Sequence, residues 1–410
     1  MAKARIVLAL ILSYMLFAML LNSVGTVILQ SIETFYISKS HASILEAFKD
    51  LTIAGVSFLV ASFLPRLGFR RAIMLGLGLV ALACVAMPLA PDFGTTQTLF
   101  AAIGAAFALV KVSVYSSIGL LTDGPRAHAS LTNTIEGLFM VGALSSYWLF
   151  SAFINPLNPA DPVWLDVYWV LAGLSVIVLL LLAVSPLDES KAQFSAKAPL
   201  VEMPRVMIGL IVRPLVLVFL ASAFLYVLME QGIGTWLPTF NREVLHLPSA
   251  MSIQAASIFA GSLALGRLAA GIVLRRLAWF PVLAGCIVAM AALVLATLPL
   301  THGLSVRSDT NWLNAPLAAY IFPLIGLFLA PIYPAINSAI LSALPKTYHA
   351  AMTGLIVVFS ALGGTTGSLI TGTVFQMLGG QTAFYLTLIP MALLMLTLWQ
   401  LSRLSARPAA

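Results

Sequence analysis

Residues 6–32 contain no acidic residue, lysine or arginine, and neither do residues 72–91, 93–110, 214–229, 277–306, 310–345 and 347–402. Chain without charge over such lengths suits only one solvent. At a rise of about 1.5 Å per residue, roughly 20 apolar residues cross a hydrocarbon core about 30 Å thick. The whole chain is 61% hydrophobic and 9% charged, whereas soluble domains carry about 25% charged residues. Too few charges are present to cover a surface in water. Barrel strands would read as short alternating segments, so the sequence predicts an all-α membrane protein.

Twelve spans are expected, at 6–32, 43–64, 71–90, 97–121, 129–153, 164–185, 214–240, 250–274, 279–299, 313–343, 350–377 and 381–402. An even number puts both termini on one side. Of the 21 Lys and Arg, only Lys39, Arg242 and Arg307 fall on the opposite side, and Lys49, Lys111 and Arg267 lie inside spans. The rest lie with the termini, which the positive-inside rule assigns to the cytoplasm of a plasma (inner) membrane. The net charge of +7 is therefore a topology signal and implies no nucleic-acid partner. The apolar stretch after Lys3 and Arg5 is too long for a signal-peptide core and is read as the first span. Cys84 and Cys286, both in apolar spans, offer neither a disulfide framework nor a metal set.

The most polar long connection, SPLDESKAQFSAKAPLVEMPR at 185–205, separates six spans from six. It reads as a flexible linker at 185–206 between an N-terminal bundle, 1–184, and a C-terminal bundle, 207–410. The halves repeat one another. ASFLPRLGFRR (61–71) matches GIVLRRLAWF (271–280) at an offset of 210, and NSVGT (22–26) matches QGIGT (231–235) at 209. Two six-helix pseudo-symmetric bundles follow, an arrangement found in one large class of transporters, with the binding site near the bilayer midplane.

The loop after the second span resembles the G-x-x-x-D-R-x-G-x-R-R signature of the major facilitator superfamily. Arg66, Gly68, Arg70 and Arg71 match it, while Ala61 and Pro65 replace the first glycine and the aspartate. Arg276 occupies the corresponding place in the second half. The resemblance implies a cytoplasmic latch at this loop, and the missing acid leaves the details of that latch open. LMEQGIGTWLPTF, GLFLAPIYPAINSAILSALP (326–345) and SALGGTTGSLITG (360–372) look like the fucose–galactose–glucose/H+ symporter branch. The acids that this branch uses in helices 1 and 4 are not evident, since helix 1 offers Asn22 and helix 4 offers Lys111.

A charge at the bilayer centre costs about 2.5–3.5 kcal/mol on insertion scales, so intramembrane charges are functional candidates. Lys111 lies roughly 15 Å from the cytoplasmic end of span 4, and Glu136 roughly 9–12 Å along span 5. An ion pair between them is expected, either as a structural tie or as a pair that opens when substrate or proton arrives. Tyr115, one turn from Lys111, faces the same way, and both are candidate substrate-binding residues. Glu46, Lys49 and Asp50 share one face of span 2. They line the outer cavity, or form a solvated turn if the span begins at Leu51. Arg267 is read as structural, its side chain reaching back to the cytoplasmic interface. The glycines around it, GALSS (142–146) and GGTTG (363–367) suggest close helix contacts.

Glu230 interrupts span 7 about 24 Å from its start at Pro214. Asn22 stands at the same depth one repeat earlier. Gly232, Gly234 and Pro238 would let the helix bend beside Glu230, which reads as a gate or a proton-coupling group, or as a carboxylate satisfied by a neighbouring helix. Asn22, Gln30, Gln231, Trp236, Tyr320, Tyr333 and Asn337 add amides and aromatic faces to spans 1, 7 and 10, which line the cavity in the family resembled. Such groups suit a sugar-like solute. Trp236 and Tyr333 could equally be interfacial anchors.

The expected function is secondary transport of a small polar solute by alternating access, coupled to H+, by a monomer in the lipid bilayer. An efflux transporter of amphiphilic compounds is the alternative, and a non-transporting sensor the reading from another class. No phosphate-binding loop, H-E-x-x-H or G-x-S-x-G occurs, which argues against ATP drive, metal, cofactor and enzyme chemistry.

Overall fold

The computed structural model describes residues 2–189, 203–304, 309–345 and 348–405. Most of the expected linker, with Lys191 and Lys197, and also Arg307, Lys346 and Arg407, lie outside these residues, as do the side chains of Ala61, Pro65 and Arg66. The described residues contain helices and no strand. Ten of the long helices are apolar enough to cross a membrane. Two others, α4 (Ile44–Leu67) and α7 (Pro125–Ser151), are as long but more polar, which gives twelve candidate passes among the described residues.

The chain divides into two compact units, the first running through Tyr36 and resuming at Leu45, the second taking Ile37–Ile44 and the chain after the linker. In the first unit, α1 (Ala2–Asn22) and α2 (Val24–Phe35) form one interrupted pass. At the break Asn22 Nδ2 donates to the Ala18 carbonyl at 2.8 Å and Ser23 Oγ to that of Leu20 at 2.8 Å. These side chains compete for carbonyls that continuing helix would use. A four-residue helix, α3 (Lys39–Ala42), precedes α4. Then come α5 (Phe69–Leu89), α6 (Phe93–Leu121), α7 and α8 (Val167–Ala183). Asp92 caps α6 by accepting from Thr95 N at 2.7 Å, and this backbone donor holds its carboxyl below the usual carboxylate range. Helix α1 packs on α7, and α5 packs on α6 and α8.

The second unit begins with α9 (Met203–Ile211), followed by α10 (Pro214–Gly234) and α11 (Leu237–Glu243), which make one pass broken where the glycines and Pro238 suggested. Next are α12 (Ser249–Val273) and α13 (Trp279–Thr297). The expected pass at 313–343 starts later, as α14 (Ala318–Ile321), α15 (Ile325–Leu329) and α16 (Ile332–Ala343), with prolines at its interruptions. The last elements are α17 (His349–Leu378), α18 (Gly380–Tyr385) and α19 (Leu388–Ser405). The segment holding α3 is fastened within this unit. Lys39 Nζ lies 3.0 Å from Glu243, and Lys39 N donates to Gln376 Oε1 at 2.9 Å.

Small residues set the closest helix contacts, as expected of association in lipid, where burial adds little and backbone approach adds much. On α17, a Cβ at Gly363 would stand 2.5 Å from the Phe224 carbonyl oxygen, and one at Gly367 would overlap the carbonyl of Leu228. Gly367→Ala is therefore expected to lower stability by about 1–3 kcal/mol through overpacking, read as a lower melting temperature. Gly55→Ala, where a Cβ meets nothing within 4 Å, should leave the melting temperature unchanged.

Candidate functional site

Each unit builds a cluster of a carboxylate and two tyrosines, with a cation nearby. In the first unit, Tyr14 of α1 and Tyr115 of α6 both donate their hydroxyls to Glu136 Oε1 of α7, the Tyr14 bond measuring 3.2 Å. Aromatic rings enclose the group: Tyr14 lies 4.8 Å from Phe139 and 6.1 Å from Phe107, and meets Tyr115 edge-on. A hydrogen bond to a charged acceptor contributes about 1.5–3 kcal/mol, enough to offset much of the cost of holding a carboxylate in a span.

The expected Lys111–Glu136 ion pair is not formed. Among the described residues no carboxylate lies within 4 Å of Lys111, whose Nζ stands 5.7 Å from the Phe107 ring centroid. The tyrosine hydroxyls occupy Glu136 instead. Tyr14, which completes the cluster, was not singled out from the sequence. A signal was present, because tyrosines recur on the first and fourth passes of each half: Tyr14 and Tyr115, then Tyr226 and Tyr333.

In the second unit, Tyr226 donates to Glu230 Oε1 at 3.0 Å, one turn away on α10. Arg267 of α12 approaches the same oxygen at 3.8 Å. A half-buried carboxylate on the neighbouring helix is thus its partner, a contact that the sequence reading did not name. Tyr333 stacks on Tyr226 with centroids 5.1 Å apart, and its hydroxyl lies 2.8 Å from Ser360 Oγ. Asn337, one turn along α16, keeps a buried Oδ1 with no hydrogen-bond donor among the described residues.

The remaining candidates lie apart from these clusters. Glu46, Lys49 and Asp50 are all buried in α4, with Lys49 bonded to Glu46 and 3.5 Å from Asp50. A solvated turn is thus excluded, because α4 already begins at Ile44 and other chain covers the triad. Trp236 is fully buried and donates from Nε1 to the carbonyl and hydroxyl of Ser368, each at 3.1 Å. It is packing within the second unit, neither an interfacial anchor nor an exposed wall. Gln30 is buried and donates to Glu33 at 3.2 Å, and the Asn22 amide is spent on Ala18. Gln231 is half-buried, and Tyr320 bonds the Trp312 carbonyl near the start of its pass.

At the loop after α4 a carboxylate does meet the motif, from another segment. Glu189 accepts from the N–H groups of Phe69 at 2.7 Å and Arg70 at 2.9 Å, capping α5. Gly68, at φ +89°, leaves room for it, since a Cβ there would stand 2.9 Å from Glu189 Oε2. Arg70 reaches the Leu182 carbonyl at 3.0 Å and that of Ala183, at the negative end of α8. Arg71 and Arg276 are exposed.

The sequence profile of the Major Facilitator Superfamily matches residues 6–322. The chain belongs to that superfamily. It is a secondary transporter, not an enzyme. Solved superfamily-like structures match along the whole chain. A mutant of the nucleoside transporter NupG superposes with a TM-score of 0.76 at 15% identity, covering 98% of this chain and 100% of that one. A bacterial homologue of the human lysosomal transporter Spinster, inward-facing and occupied, gives 0.74 at 14%, covering 98% of each. The superfamily transporter FucP in its outward conformation gives 0.62 at 15%, covering 97% and 98%. Identities this low show the fold alone. No curated protein matches the chain.

Glu189→Ala is expected to destabilise the protein by about 1 kcal/mol, as loss of a helix cap does. A melting temperature unchanged from that of the parent protein would show that the cap contributes nothing.

Proposed function

We propose that this transporter moves a small, hydroxylated organic solute by alternating access and couples the movement to H+, with Glu136 and Glu230 as the proton-exchanging groups. The observation that carries the reading is Glu136, a carboxylate inside a span that takes hydroxyls from two other helices of its unit. Intramembrane carboxylates mark ion and proton pathways in transporters. A carboxyl group can accept one proton from whichever side of the membrane it faces and release it on the other. Tyr14 and Tyr115 hold Glu136 in place while leaving it hydroxyl partners in either protonation state.

The hydroxylated character of the solute rests on Asn337 Oδ1, a buried acceptor beside the Tyr226–Tyr333 stack. Amides read hydroxyl groups, and aromatic faces receive the apolar side of a ring. NupG is a nucleoside transporter, another ring-bearing, hydroxylated solute class. The LMEQGIGTWLPTF stretch supports a place near the sugar symporter branch. The bias of Lys and Arg supports cytoplasmic termini in a plasma (inner) membrane.

Reconstituted into liposomes, the protein is expected to accumulate hydroxylated solutes when the lumen is made alkaline. Glu136→Gln and Glu230→Gln should each abolish accumulation while leaving part of the solute exchange at equal pH. Accumulation by both variants that still follows the pH gradient would remove these carboxylates from coupling. If no solute moves under any gradient, the transport reading itself fails.

A further inference from the structure

Lys111 stands inside α6, exposed, with no carboxylate within 4 Å among the described residues. Gly104, Phe107, Lys111 and Tyr115 form one stripe along the helix, at spacings that share a face. The other three members all meet protein. A Cβ at Gly104 would stand 2.5 Å from the Lys49 carbonyl oxygen of α4. Phe107 lies against Tyr14 and Phe17 of α1 and Phe139 of α7. Tyr115 bonds Glu136 of α7. Lys111 therefore shares a helix face with residues that pack on α1, α4 and α7 of its own unit.

We propose that Lys111 recognises an anionic oxygen of the solute, and that the solute is a hydroxylated carboxylic acid. This rests on the transport reading above and narrows its substrate class. An ammonium on an intramembrane face is stabilised by a counter-charge; Glu136 supplies part of one from beyond 4 Å, which leaves room for a closer anionic oxygen. One lysine balances one negative charge, which fits a carboxylate better than a phosphate monoester carrying close to two. The Phe107 ring, itself buried, lies under the ammonium and fixes where it is presented. Glu136 and Tyr115, both half-buried, keep lone pairs free to accept from hydroxyls of the solute.

The test uses the full-length protein in detergent and in liposomes with matched pairs of solutes: galactose and galacturonate, inositol and quinate, uridine and uridine 5′-monophosphate. Thermal shift and competition should rank at least one carboxylate about tenfold or more tighter than its neutral partner, the size of one hydrogen bond to a charged group. Lys111→Met should erase that preference, and Lys111→Arg should restore most of it, which separates charge recognition from a folding defect. The proposal is overturned if every acid binds no better than its neutral partner, if the preference survives in Lys111→Met, or if only the phosphate ester shows it. It is equally overturned if no acid binds at all. Gradient-driven uptake of neutral solutes in that case would leave the transport reading standing.

Discussion

Inside hydrocarbon no water is available to pair with a backbone N–H or carbonyl, so each segment that crosses must satisfy its own main chain. Every long element described here follows from that requirement, and so do the small adjustments within them. Hydroxyls such as those of Ser13, Ser117 and Ser222 bond back to carbonyls of their own helix. Where two helices approach closely, glycine provides the room, as Gly363 and Gly367 do for α10. The same lack of water sets terms for ionised side chains: each must be given partners by neighbouring helices. The triad on α4 is paired internally, while Glu136 and Glu230 receive tyrosine hydroxyls.

The two units use similar groups in different arrangements. Both set a tyrosine on the first pass of the unit against one on the fourth, and both attach a carboxylate to that pair. In the first unit the acid comes from α7 and gathers donors from two helices. In the second it lies on α10, one turn from its own tyrosine, and has a guanidinium at 3.8 Å. Lys111 has no such arrangement with Glu136, which is why the two clusters read differently: one cation faces a carboxylate, the other lies over an aromatic ring.

Much of the fold was legible in the sequence because its signal is one-dimensional. Uncharged runs mark the passes to within a few residues, except for the fourth pass of the second half, where Trp312 and its neighbours form turns before α14. Gly68 and Ala278, matched by the repeat, both turn out to be the residues before α5 and α13. The site was legible by residue type but not by partner. Lys111 and Glu136 stand at compatible depths, yet depth does not report which face of α1 presents Tyr14. Arg267 could reach the interface by length alone, until α12 is set against α10. Glu189 lies far along the chain from Phe69 and carries no local pattern that ties it to a helix terminus.

The sequence by itself determined that this chain spans a membrane as helices in two related halves, because hydropathy and repetition need no knowledge of contacts. It also determined which intramembrane residues carry charge. Only the tertiary structure decided what each charge faces: tyrosines for Glu136, a guanidinium for Glu230, an aromatic ring for Lys111. The reason is geometric. Helix periodicity places a side chain on a face, but which neighbour covers that face depends on how distant segments of the unit pack.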